Sequence, residues 1–187
     1  MDDVGSRSNR SNLQQRKERI HHRGTEDTEM KEKIRAAVVT VSDTRRPDDD
    51  LSGNKLVELL NDLGADIVVR RVVADELQHL RDTIFTLAER DDIDLIITSG
   101  GTGFSPRDNT PEATRAVIER EAPGMAEAMR ASGKHPMSML SRGVCGIRGT
   151  TLIINLPGSP RGVEECFEVI RPVLPHAIEL LRGNTKH

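Results

Sequence analysis

Tryptophan and tyrosine are absent from this 187-residue chain, and phenylalanine occurs only three times. A folded interior must therefore be aliphatic, and runs such as Ala36-Ala37-Val38-Val39 and Leu152-Ile153-Ile154 supply one. Cysteine is scarce as well. Cys145 and Cys166 form neither a CxxC pair nor a disulfide framework, and read as small core residues in a reducing compartment. No apolar stretch approaches the roughly 20 residues of a membrane span. Residues 1–20 lack the apolar centre of a secretion signal, so a soluble, cytoplasmic protein is expected. An excess of one charge is missing too. With 27 Lys and Arg against 30 Asp and Glu, the formal net charge is −3, and neither nucleic acid nor membrane is expected as a partner. Two phosphate-binding fingerprints, GxxxxGKS/T and GxGxxG, are also absent. There is no internal repeat.

The length predicts one domain with room for a tail. Residues 1–33 carry only scattered apolar side chains among Arg, Lys, Glu, Asp, Ser and His. Such a segment cannot bury enough area to offset the entropy of ordering, and a disordered polar arm is expected there, followed by a folded domain over 34–187. The basic stretch Arg7 to Arg23 reads as a solvated tail, and His21 and His22 have no further ligands nearby. Met30, directly ahead of the ordered pattern, is a candidate start of translation.

From Ile34 onward strands and helices alternate. Arg35 to Val41, Asp66 to Val73, Ile93 to Thr98 and Thr151 to Leu156 read as strands, the first and last buried on both faces. Helices are predicted after Ser52 (as cap) to Gly64, over Asp75 to Arg90, over Pro111 to Glu121 with Thr110 as cap, and over Gly124 to Ala131. A long C-terminal helix runs to about Leu181. Residues 134–150 suggest a short strand or hairpin. The alternation predicts an α/β fold with a parallel or mostly parallel sheet covered by helices on both faces.

In open α/β sheets ligands bind beyond the carboxyl ends of the strands. Four segments end there in small, hydroxylated or acidic residues: Thr40, Ser42 and Asp43; Asp75 and Glu76; Ser99-Gly100-Gly101-Thr102-Gly103; and Pro157-Gly158-Ser159-Pro160. The glycines let backbone N–H groups approach a phosphate, although a tight turn explains Gly-Gly equally well. Arg107, Asp108 and a helix start follow within a few residues, a setting that attracts phosphate. Asp108 reads either as an acid at a helix N-terminus or, with Asp75, as a holder of Mg²⁺ that leaves its other positions to water and nucleotide phosphate. Asp75 reads equally as a helix cap. A Mg-nucleotide site and an ordinary surface loop both stay open on residue types alone.

Thr98-Ser99-Gly100-Gly101-Thr102-Gly103, followed by Pro106-Arg107-Asp108-Asn109-Thr110-Pro111-Glu112-Ala113-Thr114, resembles the MoaB/Mog family of molybdenum-cofactor biosynthesis, which shares its fold with the gephyrin G domain. Val39-Thr40-Val41-Ser42-Asp43, Ala74-Asp75-Glu76 (Ala in place of the family's Pro), Leu140-Ser141-Arg142 and Asn155-Leu156-Pro157-Gly158-Ser159-Pro160 extend the resemblance over nearly all of residues 34–182. It implies a three-layer αβα fold around a mostly parallel sheet, and a trimer or larger assembly such as a hexamer. It also implies adenylylation of molybdopterin by Mg-ATP with release of pyrophosphate. Asp75 and Asp108 would then be the essential acids that organise Mg²⁺ and ATP, while Gly100, Gly101, Thr102 and Gly103 cradle phosphate. Ser42, Asp43, Asn155, Pro157, Gly158 and Ser159 would line the nucleotide side, and Ser132, Ser141 and Arg142 the pterin side. Other enzymes of cofactor biosynthesis are implied as partners. Three alternatives stay open: a MoaB-type protein that binds molybdopterin without transferring AMP, a CinA-like nucleotide pyrophosphatase, and a non-catalytic scaffold. Ser141 also reads as a turn cap and Arg142 as a surface ion pair.

Overall fold

The computed structural model describes residues 32–43, 49–132 and 135–184. The expected arm lies outside the described residues except for Glu32 and Lys33, as do Met30, His21, His22 and the stretch Arg7 to Arg23.

Six strands form one sheet in the order β2-β1-β3-β6-β5-β4. These are β1 (Arg35–Val41), β2 (Asp66–Val73), β3 (Leu95–Ser99), β4 (Arg120–Glu121), β5 (Cys145–Arg148) and β6 (Thr151–Leu156). β2, β1, β3 and β6 run parallel, whereas β5 and β4 are antiparallel additions at one edge. The alternation along each central strand divides the interior into two cores. Ala36, Val38, Leu95, Ile97, Leu152 and Ile154 pack on one face. Ala37, Val39, Ile96 and Ile153 pack on the other. Period-2 side-chain direction makes this division compulsory once both faces are covered.

The first core is closed by α1 (Leu51–Asp62), α4 (Pro123–Ser132), α5 (Pro160–Ile170) and α6 (Leu174–Leu181). The second is closed by α2 (Leu77–Ala88) and α3 (Thr110–Arg115). The expected α/β fold, helices on both faces of a mostly parallel sheet, is what the chain adopts. No helix among the described residues is long and apolar enough to cross a membrane.

Several element ends differ from the sequence reading, each for a physical reason. The cap of α1 is Asp50, not Ser52. Its buried carboxylate accepts from Gly53 N at 2.8 Å and also from Thr40 Oγ1 at 2.7 Å and from Arg70 Nη2, which reaches in from the surface, at 3.2 Å, three donors that a serine hydroxyl cannot serve. The helix at Thr110 stops at Arg115 because the following residues join β5, with Glu119 N donating to Ile147 O and Ala122 N to Cys145 O. The long C-terminal helix is broken into two around Pro172, which has no N–H to donate and crowds the preceding turn. A short 3₁₀ turn, Pro136–Leu140, precedes the hairpin of β5 and β6.

At the amino ends of β1 and β3, Asp94 is nearly buried and gripped by two guanidiniums. Arg35 Nη2 lies at 2.8 Å and Arg182 Nη2 at 2.6 Å. Burial alone would raise its pKa, but hydrogen bonds and charge from Arg35 and Arg182 hold it well below the usual carboxylate range. A carboxyl whose folded pKa is depressed stabilises the fold fully above about pH 4 and gives that stabilisation up as acid protonates it. Asp94→Asn should cost roughly 3 kcal/mol at pH 7, because it leaves two guanidiniums short of their counter-charge. The variant's denaturation midpoint should fall less steeply below pH 4 than the parent's, as chemical unfolding across pH 2–7 would register.

Candidate active site

The carboxyl ends of β1, β2, β3 and β6 meet at one rim, and the glycine turn after β3 lies at its centre. Gly100 and Gly101 have φ of 110° and 61°, a left-handed backbone that disfavours side chains. Space reinforces the restriction. A Cβ on Gly100 would strike Val41 O, and one on Gly101 would strike the Asp75 carboxylate and lie 2.5 Å from Thr110 Oγ1.

All four carbonyls of this turn are tied into the protein. Thr110 holds two, its Oγ1 donating to Gly100 O at 2.8 Å and its N to Gly101 O at 3.1 Å. Arg142 holds the other two, its N donating to Thr102 O at 2.8 Å and its Nε to Gly103 O at 2.7 Å. No described residue accepts from the N–H groups of Gly101, Thr102 or Gly103. A turn whose acceptors are used up and whose donors are left over suits an anion.

Three carboxylates stand around it. Asp43 Oδ1 accepts from Asp75 N at 3.0 Å, and Arg107 Nη2 pairs with Asp43 Oδ2 at 2.6 Å. Asp75 Oδ1 accepts from Asn109 N at 3.0 Å, and Asp108 Oδ2 accepts from Ser105 N at 3.0 Å. Asp75 is therefore not a helix cap. The residue in that position is Glu76, and it makes no side-chain cap bond. Nor does Asp108 sit in the first turn of α3, where the acid is Glu112. Burial pushes the Asp75 pKa up, and the charges of Asp108 and Asp43 add to the rise despite the Asn109 amide. A cation between these groups would relieve both penalties. Among the described residues no three His, Cys, Asp or Glu groups converge tightly enough to hold a metal by themselves. Asp75 and Asp108 are carboxylates that could serve an ion such as Mg²⁺, which takes one or two carboxylates and completes its shell from water and phosphate.

Beside the turn opens a cavity of about 650 Å³. Of the residues singled out from sequence, Gly101, Thr102, Gly103, Asp108, Ser132, Ser141, Asn155, Pro157, Gly158 and Ser159 line it. Ser42, Asp43, Asp75, Gly100 and Arg142 do not. Ser42 N joins β1 to Val73 O at 2.9 Å, and Gly100 supports Gly158 from beneath, where a Cβ on Gly158 would come within 3.1 Å of Gly100 Cα. Asn155 is buried, and its amide is engaged by Thr98 Oγ1, Thr114 Oγ1 and Val144 N. Ser159 caps α5 by accepting from Gly162 N at 3.1 Å. Sequence reasoning missed Arg161, Glu165, Met129 and Met137 in the cavity wall. Helical spacing from Ser159 is the one signal that would have brought Arg161 and Glu165 to the same mouth. Burial pushes the Cys145 thiol up to about 12 and that of Cys166, which also lines the cavity, up to about 11, so both are poor nucleophiles.

Residues 37–176 match the family described as "Probable molybdopterin binding domain". The chain belongs to this family. Among MoaB/Mog relatives, it is 39% identical over 140 residues to a molybdopterin adenylyltransferase of Helicobacter pylori, covering 73% of this chain and 80% of that protein. It is 42% identical over 155 residues to the molybdenum cofactor synthesis protein cinnamon of Drosophila melanogaster, covering 80% of this chain. The match spans only 26% of cinnamon's length. The crystal structure of the molybdopterin biosynthesis enzyme MoaB from Thermus thermophilus superposes with a TM-score of 0.75 at 45% identity, covering 80% of this chain and 97% of that one.

For the MoaB/Mog turn itself, the geometry forecasts a specific sensitivity. Gly101→Ala should lose about 1–3 kcal/mol of stability, since it adds a side chain at positive φ against Asp75 and Thr110. Gly149→Ala, also at positive φ but with open space around it, should lose only about 1 kcal/mol. Paired urea titrations of the two variants compare the losses.

Proposed function

We propose that this chain is a molybdopterin adenylyltransferase. The observation that carries the reading is the glycine turn with its four carbonyls tied back and the N–H groups of 101–103 left for a ligand. Asp75 and Asp108 flank that turn. The family membership supplies the pterin, and the name of the Helicobacter pylori relative supplies the reaction.

Molybdopterin occupies the part of the cavity of about 650 Å³ that Met129, Ser132, Met137 and Ser141 line, with the Pro157–Ser159 segment left to the nucleotide. The triphosphate of ATP lies along the N–H groups of Gly101, Thr102 and Gly103. An oxygen of the pterin's phosphate forms a new bond to the α-phosphorus, the bond from that phosphorus to the bridging oxygen breaks, and pyrophosphate leaves. Such a transfer needs alignment and charge neutralisation more than covalent help. Asp75 and Asp108 would hold Mg²⁺, which would supply charge neutralisation for the triphosphate. Asp43 fixes the Asp75 backbone, and Asn109 fixes its carboxylate. Ser42, Asp43, Asn155 and Ser159 shape the nucleotide side, and Ser132 and Ser141 the pterin side. A homo-oligomer, trimer or hexamer, working in the cytoplasm beside other cofactor-building enzymes completes the reading.

Mixing the protein with molybdopterin and Mg-ATP should yield pyrophosphate and adenylylated pterin in equal amounts. Asp108→Asn should lower the transfer rate at least about a hundredfold while pterin affinity stays within about twofold. The absence of Trp and Tyr leaves pterin fluorescence free of protein background for that titration. Pterin binding without transfer by the parent protein would favour a non-catalytic binder. Nucleotide hydrolysis that ignores pterin would favour a pyrophosphatase.

A further inference from the structure

The pterin-side role that the family resemblance implied for Arg142 sits poorly with its surroundings. It does not line the cavity of about 650 Å³, although its neighbours Ser141 and Gly143 do, and instead borders an adjoining one of about 340 Å³. Its side chain points its donors elsewhere. Nε donates to Gly103 O at 2.7 Å, Nη2 donates to Asp108 O at 2.7 Å, and Nη1 pairs with Glu112. One guanidinium thus holds both ends of the turn from Gly103 to Asp108. Within that turn Asp108 N donates to Ser105 O at 2.9 Å, while Asp108 Oδ2 takes Ser105 N. The side chain of Asp108 therefore has little freedom once its carbonyl is pinned.

The peptide that joins Asp108 to Asn109 carries the effect further. Its carbonyl accepts from Arg142, and its N–H donates to Asp75 Oδ1 at 3.0 Å. A cation at the oxygen end of a peptide polarises the N–H at the other end and strengthens the bond made there. Arg142 consequently reaches both acids without touching either carboxylate.

We infer that Arg142 is a positioning residue for AMP transfer, which sets the glycine cradle and aims Asp108 and Asp75 through the backbone, and is not a ligand of the pterin. This rests on the adenylyltransferase reading of the site. Fan-shaped contact with two carbonyls and a carboxylate is a property of the planar guanidinium that a lysine ammonium does not reproduce. The bond from Arg142 N to Thr102 O belongs to the backbone and is available to glutamine or lysine at this position, so these side-chain variants remove only the brace.

Arg142→Gln and Arg142→Lys, made in the full chain, test this in three measurements. The transfer rate at saturating pterin and ATP should fall about a hundredfold in both, the scale expected when reacting groups are misplaced by about 1 Å. Pterin affinity should stay within about twofold of the parent's. Amide hydrogen exchange should speed up about ten- to a hundredfold at Ser105, Asp108 and Asn109 while the central strands keep their protection, consistent with loss of charge-assisted bonds. A large loss of pterin affinity with an unchanged rate at saturation would make Arg142 a pterin ligand and overturn the inference. So would a full rate in Arg142→Lys, or unchanged exchange at those three amides. Should both Arg142 variants fail to fold, Glu112→Gln decides. It removes only the carboxylate that orients the guanidinium, and it should lower the rate about threefold with pterin affinity intact, no change in rate counting against the inference. If the parent protein transfers no AMP, the functional reading falls, and the exchange measurement still tests the brace by itself.

Discussion

Backbone carbonyls that leave a sheet must find donors, and around residues 100–103 they find them in Thr110 and Arg142. The remaining features of the site follow from that requirement. Because the oxygens are drawn away, the N–H groups of the same peptides are left for an anion. Because both donors come from outside the turn, α3 and the segment after the 3₁₀ turn are locked to it. Because the turn runs at positive φ against Asp75, only glycine fits, and the acid is held within contact of the cradle.

The parallel sheet makes this convergence easy. Four strands delivering their carboxyl ends to one rim bring together residues as far apart in sequence as Ser42 and Pro157 without a long loop. The order β2-β1-β3-β6 places the β3 exit between those of β1 and β6, so its glycine turn meets Val41 on one side and Gly158 on the other. The antiparallel pair β5 and β4 then widens the sheet beyond β6, and the segment leading into β5 brings Ser141 and Gly143 to the cavity wall.

Much of this was legible in the residues. Strands such as Asp66–Val73 and Thr151–Leu156 match their predicted limits, the second as a run buried throughout and the first as an edge strand, buried only at Val73, whose β-branched residues mark it. Errors cluster where a long-range partner overrides a local preference. Asp50 outcompetes Ser52 as a cap through Thr40 and Arg70, which are remote in sequence, and residues 120–121 leave their helix because β5 offers them a ladder. At the site, the turn and its two acids stood out by residue type. The double use of Arg142 did not, since nothing in Leu140-Ser141-Arg142 tells which way a guanidinium will turn. Likewise nothing in Asn155-Leu156-Pro157 tells that the Asn155 amide, while lining the cavity, also ties Thr98 to Thr114.

The Asp94 cluster occupies the amino ends of β1 and β3, the far pole from the glycine turn. A strand of seven residues such as β1 spans about 23 Å, two to three Debye lengths at physiological salt. Cohesion and chemistry are therefore anchored at opposite poles of one slab, a distance that weakens the pull of either set of charges on the other. A lineage is free to retune how firmly this slab holds together, for a hotter or more acidic habitat, without disturbing the charges among which a triphosphate would react.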